Sequence, residues 1–333
     1  MKKIFFILAI LSVVSVYGWY SRVLSPVDSG NNEKHIVTIQ KGMTTQGIAA
    51  MLVHEGMIRS ARGFALYTRL HGQGALLQAG QFVLSPSMDV SEIIAVLHGK
   101  LSAQSIITIP EGLSVRDIDQ LLASKGLSKQ GEVIACAKTC AFEGIDFLPA
   151  ASAQMQNRVE GYLFPETYFV VMSDFSPEHF LERLLQTFKK RVIEDLAGDL
   201  KNSKHSLHEI ITMASLIEEE AKSDDERPMV AGILWKRFDA KVGLAVDAAI
   251  RYALEKKSGA LTKDDLDVDS PYNTRRHRGL PPGPIANPGL KSILAALHPK
   301  DSPYWYYLHD RQGMIHYAVT NDEHNENKNR YLR

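Results

Sequence analysis

Three consecutive carboxylates, Glu218, Glu219 and Glu220, close an apolar stretch between His208 and Lys222 that carries Ile210, Ile211, Met213, Ala214, Leu216 and Ile217. That spacing predicts a helix. At about 100° per residue, three successive acids on a helix cannot share one face. Glu218 stacks over Ile211, Ala214 and Ser215, and Glu220 over Met213, Leu216 and Ile217. Either can therefore border apolar surface, where lost solvation of the charged form raises a carboxyl toward the range that a general acid needs at neutral pH. Acids at a helix end are more often simply solvated, so the spacing alone leaves both readings open.

Other chemistries find less support in the residues. The chain has 12 histidines, and His309, His316 and His324 lie near one another, but no H-E-x-x-H or clustered Cys/His spacing of a metal site occurs. No G-x-S-x-G elbow marks a serine nucleophile. No cofactor or metal is expected. Cys136 and Cys140 sit one helical turn apart, within reach of a disulfide in an oxidising compartment. They equally continue an apolar stripe with Val133 and Ala137 as small buried thiols. Neither reading makes them catalytic. Lys plus Arg equals 38 and Asp plus Glu equals 38, so no overall field points to nucleic acid.

The elements that must position these residues are partly legible. Ser270–Gly289, SPYNTRRHRGLPPGPIANPG, holds five prolines and three glycines and can be neither helix nor central strand. Helical stretches are predicted around Pro177–Leu196 and Leu207–Lys222. Trp235, Tyr304, Trp305, Tyr306 and Tyr307 are either sugar-stacking surface or core and strand residues. A shift of 70 residues lays HIVTIQKGMTTQGIAAMLVHEGMI, from His35, over SIITIPEGLSVRDIDQLLASKGLS, from Ser105, with seven identities and no gap. Each copy predicts a β-branched strand, a turn glycine (Gly42; Gly112), a hydroxyl N-cap (Thr44; Ser114), and an amphipathic helix ended by Gly56 or Gly126. Between the copies lie a strand around Phe82–Leu84 and a helix from about Ser87 to Leu97, capped by Ser87 or Asp89.

Lys2 and Lys3 precede an uncharged run from Ile4 to Tyr20, and Arg22 closes it. Seventeen residues span roughly 25 Å as a helix, which suits a signal peptide or a short membrane anchor. Tyr17, Gly18, Trp19 and Tyr20 stand where a cleavage site would want small residues, so an uncleaved anchor is expected, with the N-terminus cytoplasmic and the body outside. Residues 23–34 read as a tether.

The strand, K-G-x-T turn and helix resemble half of a LysM module, a unit known for binding peptidoglycan sugars. ASLIEEE at 214–220 resembles the A-S-I-V-E-x-E segment of the YceG-like endolytic murein transglycosylases. The resemblance extends through EGYLFPETY at 160–168, SPYNT at 270–274, GLPPGPIANPG at 279–289 and H-Y-A-V-T-x-x-E-H-N at 316–325. It implies an α+β protein with an N-terminal transmembrane helix (1–22), a small LysM-like α+β domain (35–100) and a larger α+β catalytic domain (101–333) that opens with the second half-repeat, 105–128.

The resemblance also implies Glu218 as the catalytic residue. It would protonate the glycosidic oxygen between N-acetylmuramic acid and N-acetylglucosamine, then take the proton of the muramyl 6-hydroxyl as that oxygen closes on C1. Such a lyase leaves a 1,6-anhydro end and needs no second carboxylate as nucleophile. Glu220, Ser215, Asp247, Tyr272, Asn273 and Asn287 are the implied supporting or substrate-binding residues, with Glu160 a further candidate; Glu219, turned away, is expected to be dispensable. The implied partners are glycan strands of peptidoglycan and the inner membrane, with peptidoglycan synthases left open. Two departures bear on this: LAVDAAIRY at 244–252 keeps Asp247 and Tyr252 of the family's L-Q-S-D-P-T-V-x-Y but loses the polar neighbours, and Arg275 replaces the usual tyrosine after SPYNT. Arg275, Arg276 and Arg278 form either a carboxylate- or diphosphate-binding cluster or a solvated loop. A non-catalytic wall-binding scaffold and a hydrolytic muramidase are the competing readings.

Overall fold

β1 (His35–Ile39) turns Val37 and Ile39 inward, the period of a half-buried strand. It pairs antiparallel with β2 (Gly80–Leu84), His35 opposite Leu84 and Ile39 opposite Gly80. Between the strands come α1 (Thr45–His54) and α2 (Ala61–Leu70), and after them α3 (Val90–Leu97). Thr44 and Ser60 accept the amides of Gly47 and Gly63, and Asp89 forms a capping box with Glu92. Asp89 rather than Ser87 is thus the cap, and α3 starts later than the sequence suggests. Val37, Ile48, Leu52, Phe64, Leu84, Ile93 and Leu97 meet in one buried cluster.

The second copy of the repeat takes the same local form. β3 (Gln104–Thr108) leads into α4 (Val115–Ser124), with Ser114 as N-cap in a capping box with Asp117. Gly42 and Gly112 hold φ of +89° and +80°, the left-handed region that glycine enters without Cβ strain. The copies differ in strand partner: β1 takes β2, whereas β3 takes β4 (Thr167–Val171).

This computed structural model describes residues 17–99, 104–150, 152–171 and 175–332. The chain divides into two compact units, Met1–Ile107 with Tyr168–Asp174, and Thr108–Thr167 with Phe175–Arg333. The chain is mixed α+β, and its sheets among the described residues are two-stranded. Most of the run Ile4–Tyr20 lies outside the described residues; among those described, no helix is long and apolar enough to cross a membrane.

The second unit is mainly helical: α5 (Glu132–Thr139), α6 (Pro177–Phe188), α7 (Ala197–Asn202), α8 (Leu207–Glu220), α9 (Arg227–Asp239), α10 (Asp247–Leu254), α11 (Lys263–Leu266) and α12 (Leu290–Leu297) precede β5 (Tyr306–His309), β6 (Ile315–Ala318) and α13 (Asn321–Tyr331). The helix expected over Pro177–Leu196 ends sooner, passing into a π-helical stretch at Lys189–Glu194. α8 is the axis of the unit. Ile210 through Ile217 are all buried, because α9 and α12 pack against it and leave no solvent face along those two turns. Trp235 stacks on His205 at 3.6 Å and its Nε1 donates to the Ala296 carbonyl, so it is core rather than sugar platform. Cys136 and Cys140 are joined by a disulfide.

Candidate active site

α8 begins at a capping box, Ser206 with Glu209, and stops at Ala221, whose backbone turns extended. The stop sets the three glutamates on the last turn, where they diverge. Glu218 has a side chain only 8% exposed; its Oε1 accepts Arg227 Nη2 at 3.1 Å and its Oε2 accepts the Gly289 amide at 2.9 Å. Arg227, the first residue of α9, is fixed in turn by Ser292 Oγ at 2.9 Å and by Asp224. Gly289 is the N-cap of α12. Three helix termini therefore converge on one carboxyl group.

The turn at Gly112 covers both Glu218 and its neighbour. A Cβ at position 112 would lie 3.2 Å from Glu219 Oε1 and 3.8 Å from Glu218 Cγ. Glu219 thus lies beside the same Gly112 turn as Glu218, although the helical angle sets the two on different faces. It lines a cleft of about 280 Å³ with Gly112, Ser114, Arg116, Asp117 and Tyr252. Desolvation first, then the charges of Glu218, Asp117 and Glu220, push its carboxyl up to about 7. The residue as a whole is exposed, and its wet flank screens part of that push.

Glu220 points elsewhere. Its Oε2 accepts the Tyr307 hydroxyl at 2.9 Å, and burial raises it to about 7, with Asp247 adding and Arg275 and Arg237 opposing. Asp247 Oδ1 accepts both Nε and Nη2 of Arg275, at 3.0 and 2.6 Å. The arginine that departs from the family pattern is thus spent on the aspartate that keeps to it, and Arg276 is tied to the Asp267 carbonyl.

The other residues named from sequence, Ser215, Tyr272, Asn273 and Asn287, are buried in this conformation. Ser215, Asn273 and Asn287 are 0% exposed and Tyr272 3%. Asn273 Nδ2 donates to the Leu266 and Val268 carbonyls. The proline-glycine segment is held at three points: the Pro282 carbonyl accepts His208 Nε2, the Ile285 amide donates to Ser215 Oγ, and Asn287 is bound on every side. Asn287 Oδ1 accepts the Leu163 amide, its Nδ2 reaches the Leu113 carbonyl, and its backbone carbonyl accepts the Gly112 amide. Because Nε2 of His208 donates to a carbonyl, its Nδ1 is the acceptor for the Tyr162 hydroxyl. Glu160, 2% exposed, accepts Val115 N and Tyr252 Oη and is raised to about 7, chiefly by burial. These ties fix the backbone that supplies Gly112 and Gly289.

Two site residues escaped sequence reasoning. Arg227 carries no local signal, since it is one arginine at a helix start. Glu111 had one: it occupies the position of Lys41 in the repeat, a reversal of charge inside an otherwise matched turn. His309 and His316 pair with Glu226 and Asp310, and His324 stacks on Tyr306.

The chain matches the YceG-like family over residues 37–330. It is similar to an endolytic murein transglycosylase of Bacillus subtilis (strain 168), 32% identical over 93% of this chain and 88% of that protein. A protein of the same name from Streptococcus pneumoniae serotype 2 is 28% identical over 96% of this chain but 63% of its own length. Among solved structures, the putative yceG-like protein of Listeria monocytogenes superposes with a TM-score of 0.63 at 31% identity, covering 88% of this chain and 99% of that one. With the glutamate-bearing helix end and the proline-glycine segment both inside the matched span, the chain belongs to the YceG-like family.

Proposed function

We propose that this protein is an endolytic lytic transglycosylase that cuts peptidoglycan glycan strands between N-acetylmuramic acid and N-acetylglucosamine, with Glu218 as its acid and base. The observation that carries the reading is the setting of Glu218: a nearly buried carboxyl, gripped by Arg227 and the Gly289 amide, next to the cleft-lining Glu219, in a chain that matches the family over residues 37–330. Glu218 protonates the bridging oxygen as its bond to C1 breaks. It then accepts the 6-hydroxyl proton as O6 bonds to C1, and no water is consumed. Glu220 and Asp247 hold the flank of α8, and Ser215, Tyr272, Asn273 and Asn287 hold the loop that carries Gly289. The reaction calls for no cofactor.

In this reading the run Ile4–Tyr20 anchors the protein in the inner membrane with its body outside, residues 35–100 act as a LysM-like glycan-binding domain, and residues 101–333 cut. Cleavage of nascent strands would end their elongation. The test is the full chain acting on glycan strands, with products resolved by mass spectrometry. Wild type should yield 1,6-anhydromuramyl ends, and Glu218→Gln should lower cleavage by about 10²- to 10⁴-fold while melting like wild type. Reducing ends alone would make the enzyme a muramidase; binding without any cleavage would make it a scaffold.

A further inference from the structure

The proposed reaction begins with a proton on Glu218, yet both of its carboxyl oxygens accept N–H donors, Oε1 from Arg227 and Oε2 from Gly289. That is the arrangement of a carboxylate. An acid step therefore needs a second group near Glu218 that holds a proton and can release it.

Glu111 stands at that place. A Cβ on Gly289 would lie 2.0 Å from Glu111 Oε1, 2.1 Å from Cδ and 2.7 Å from Oε2, so the Glu111 carboxyl packs directly on the Cα of the residue whose amide binds Glu218. A side chain at position 289 would displace that carboxyl from the contact. Among the described residues Glu111 makes no hydrogen bond or ion pair, so its carboxyl is uncommitted.

We propose that Glu111 is the proton-holding partner of Glu218: its carboxyl packs on the Cα of Gly289, whose amide binds Glu218, and a proton rests on Glu111 and passes to Glu218 for the cut. This deepens the transglycosylase reading and rests on it. Glu218 gives the proton to the glycosidic oxygen as the C1–O bond breaks, takes the 6-hydroxyl proton as O6 bonds to C1, and returns a proton to Glu111. Both carboxyls end as they began, and no electrons or water enter. Glu111 is thus a positioning residue for the proton rather than a group on the sugar.

The charges around Glu111 fit the assignment. Burial and then the charge of Glu218, at the end of α8, raise its carboxyl; Arg227 on α9 and Lys291 on α12 oppose, and Asp224 adds to the rise. The residue is exposed on one side, so solvent screens part of each effect. A raised carboxyl keeps its proton to higher pH than an ordinary one. Activity that depends on it falls only as pH climbs through that raised value.

The experiment is a pH–kcat/KM profile of the full-length enzyme on glycan strands for wild type, Glu111→Gln, Glu111→Asp, Glu218→Gln and Glu219→Gln. Glu111→Gln should lose about 10- to 100-fold, less than removal of the acid–base group itself, and its alkaline limb should move to lower pH. Glu111→Asp, which restores a titrating carboxyl, should recover part of both. A Glu111→Gln enzyme with wild-type rate and limb overturns the inference, as does a limb that moves in Glu219→Gln instead. A lowered rate with an unmoved limb would reduce Glu111 to a structural role and also overturn it. Full activity in Glu218→Gln would overturn the underlying reading separately.

Discussion

At Glu160 burial works against charge, and the result has a measurable sign. Its carboxyl is raised from 4.5 to about 7, chiefly by burial, although Val115 N and Tyr252 Oη donate to it. The folded protein therefore binds this proton more tightly than the unfolded chain. The stability so gained is full below about pH 4.5 and is lost as pH rises through about 7, the reverse of an ion-paired carboxylate. Glu160→Gln cannot ionise and removes that slope. One pKa unit corresponds to about 1.4 kcal/mol, so wild type should lose on the order of 1–3 kcal/mol relative to the variant between pH 5 and pH 8. Urea unfolding of both proteins at the two pH values checks it, because Glu219 and Glu220 contribute alike to each and cancel. Parallel loss in the two proteins would mean that Glu160 stays ionised throughout.

At the scale of elements, what the sequence revealed depended on how local the cause was. The two half-repeats were legible because a β-branched strand, a turn glycine and a hydroxyl cap each act within a few residues, and Thr44 and Ser114 cap the expected helices. α8 was legible from its spacing, and the proline-glycine segment from the amide donors that it lacks. The surroundings of Glu218 were not, because Arg227 and Gly289, which hold it, and Glu111, which packs on Gly289, come from three separated stretches that only packing brings together. The burial of Asn273 and Asn287 was invisible for the same reason, since asparagine in a loop usually reads as surface. Gly161 shows what holds the loop in place: its φ is +87°, and a Cβ there would lie 2.4 Å from both Cβ and Cγ of Pro284. Gly161→Ala should cost about 2–4 kcal/mol, from backbone strain and a ring that has nowhere to move. It should also lower cleavage, since Pro284 leads to Asn287 and Gly289. Chemical denaturation and the glycan assay on the same variant test the coupling; a stable but inactive protein would place the fault in the loop alone.

For the molecule as a whole, the proposed anchor separates two properties that assays can read independently. A protein beginning at residue 23 should no longer sediment with membranes, while its cleavage of isolated glycan strands should stay within about a few-fold of the full chain, since Glu218 and its partners lie far along the sequence. Retention of that shortened protein in the membrane fraction would move the attachment elsewhere. A natural N-terminus found just after Gly18 would mean that the run is a cleaved signal.

The pairing of β3 with β4 sets a timetable for synthesis. β1, β2 and the helices packed on them are complete by Gly99, so their core can close as soon as that length of chain is free. β3 cannot do the same, because its partner begins at Thr167. At the usual 5–20 residues per second, the strand waits about 3–12 s with an unpaired edge while the intervening chain is made. Through that interval the second half-repeat resembles the first in sequence but lacks its mate. The hydroxyl pair Thr108–Thr167 at the far end of the ladder gives the late-arriving strand a polar contact of its own.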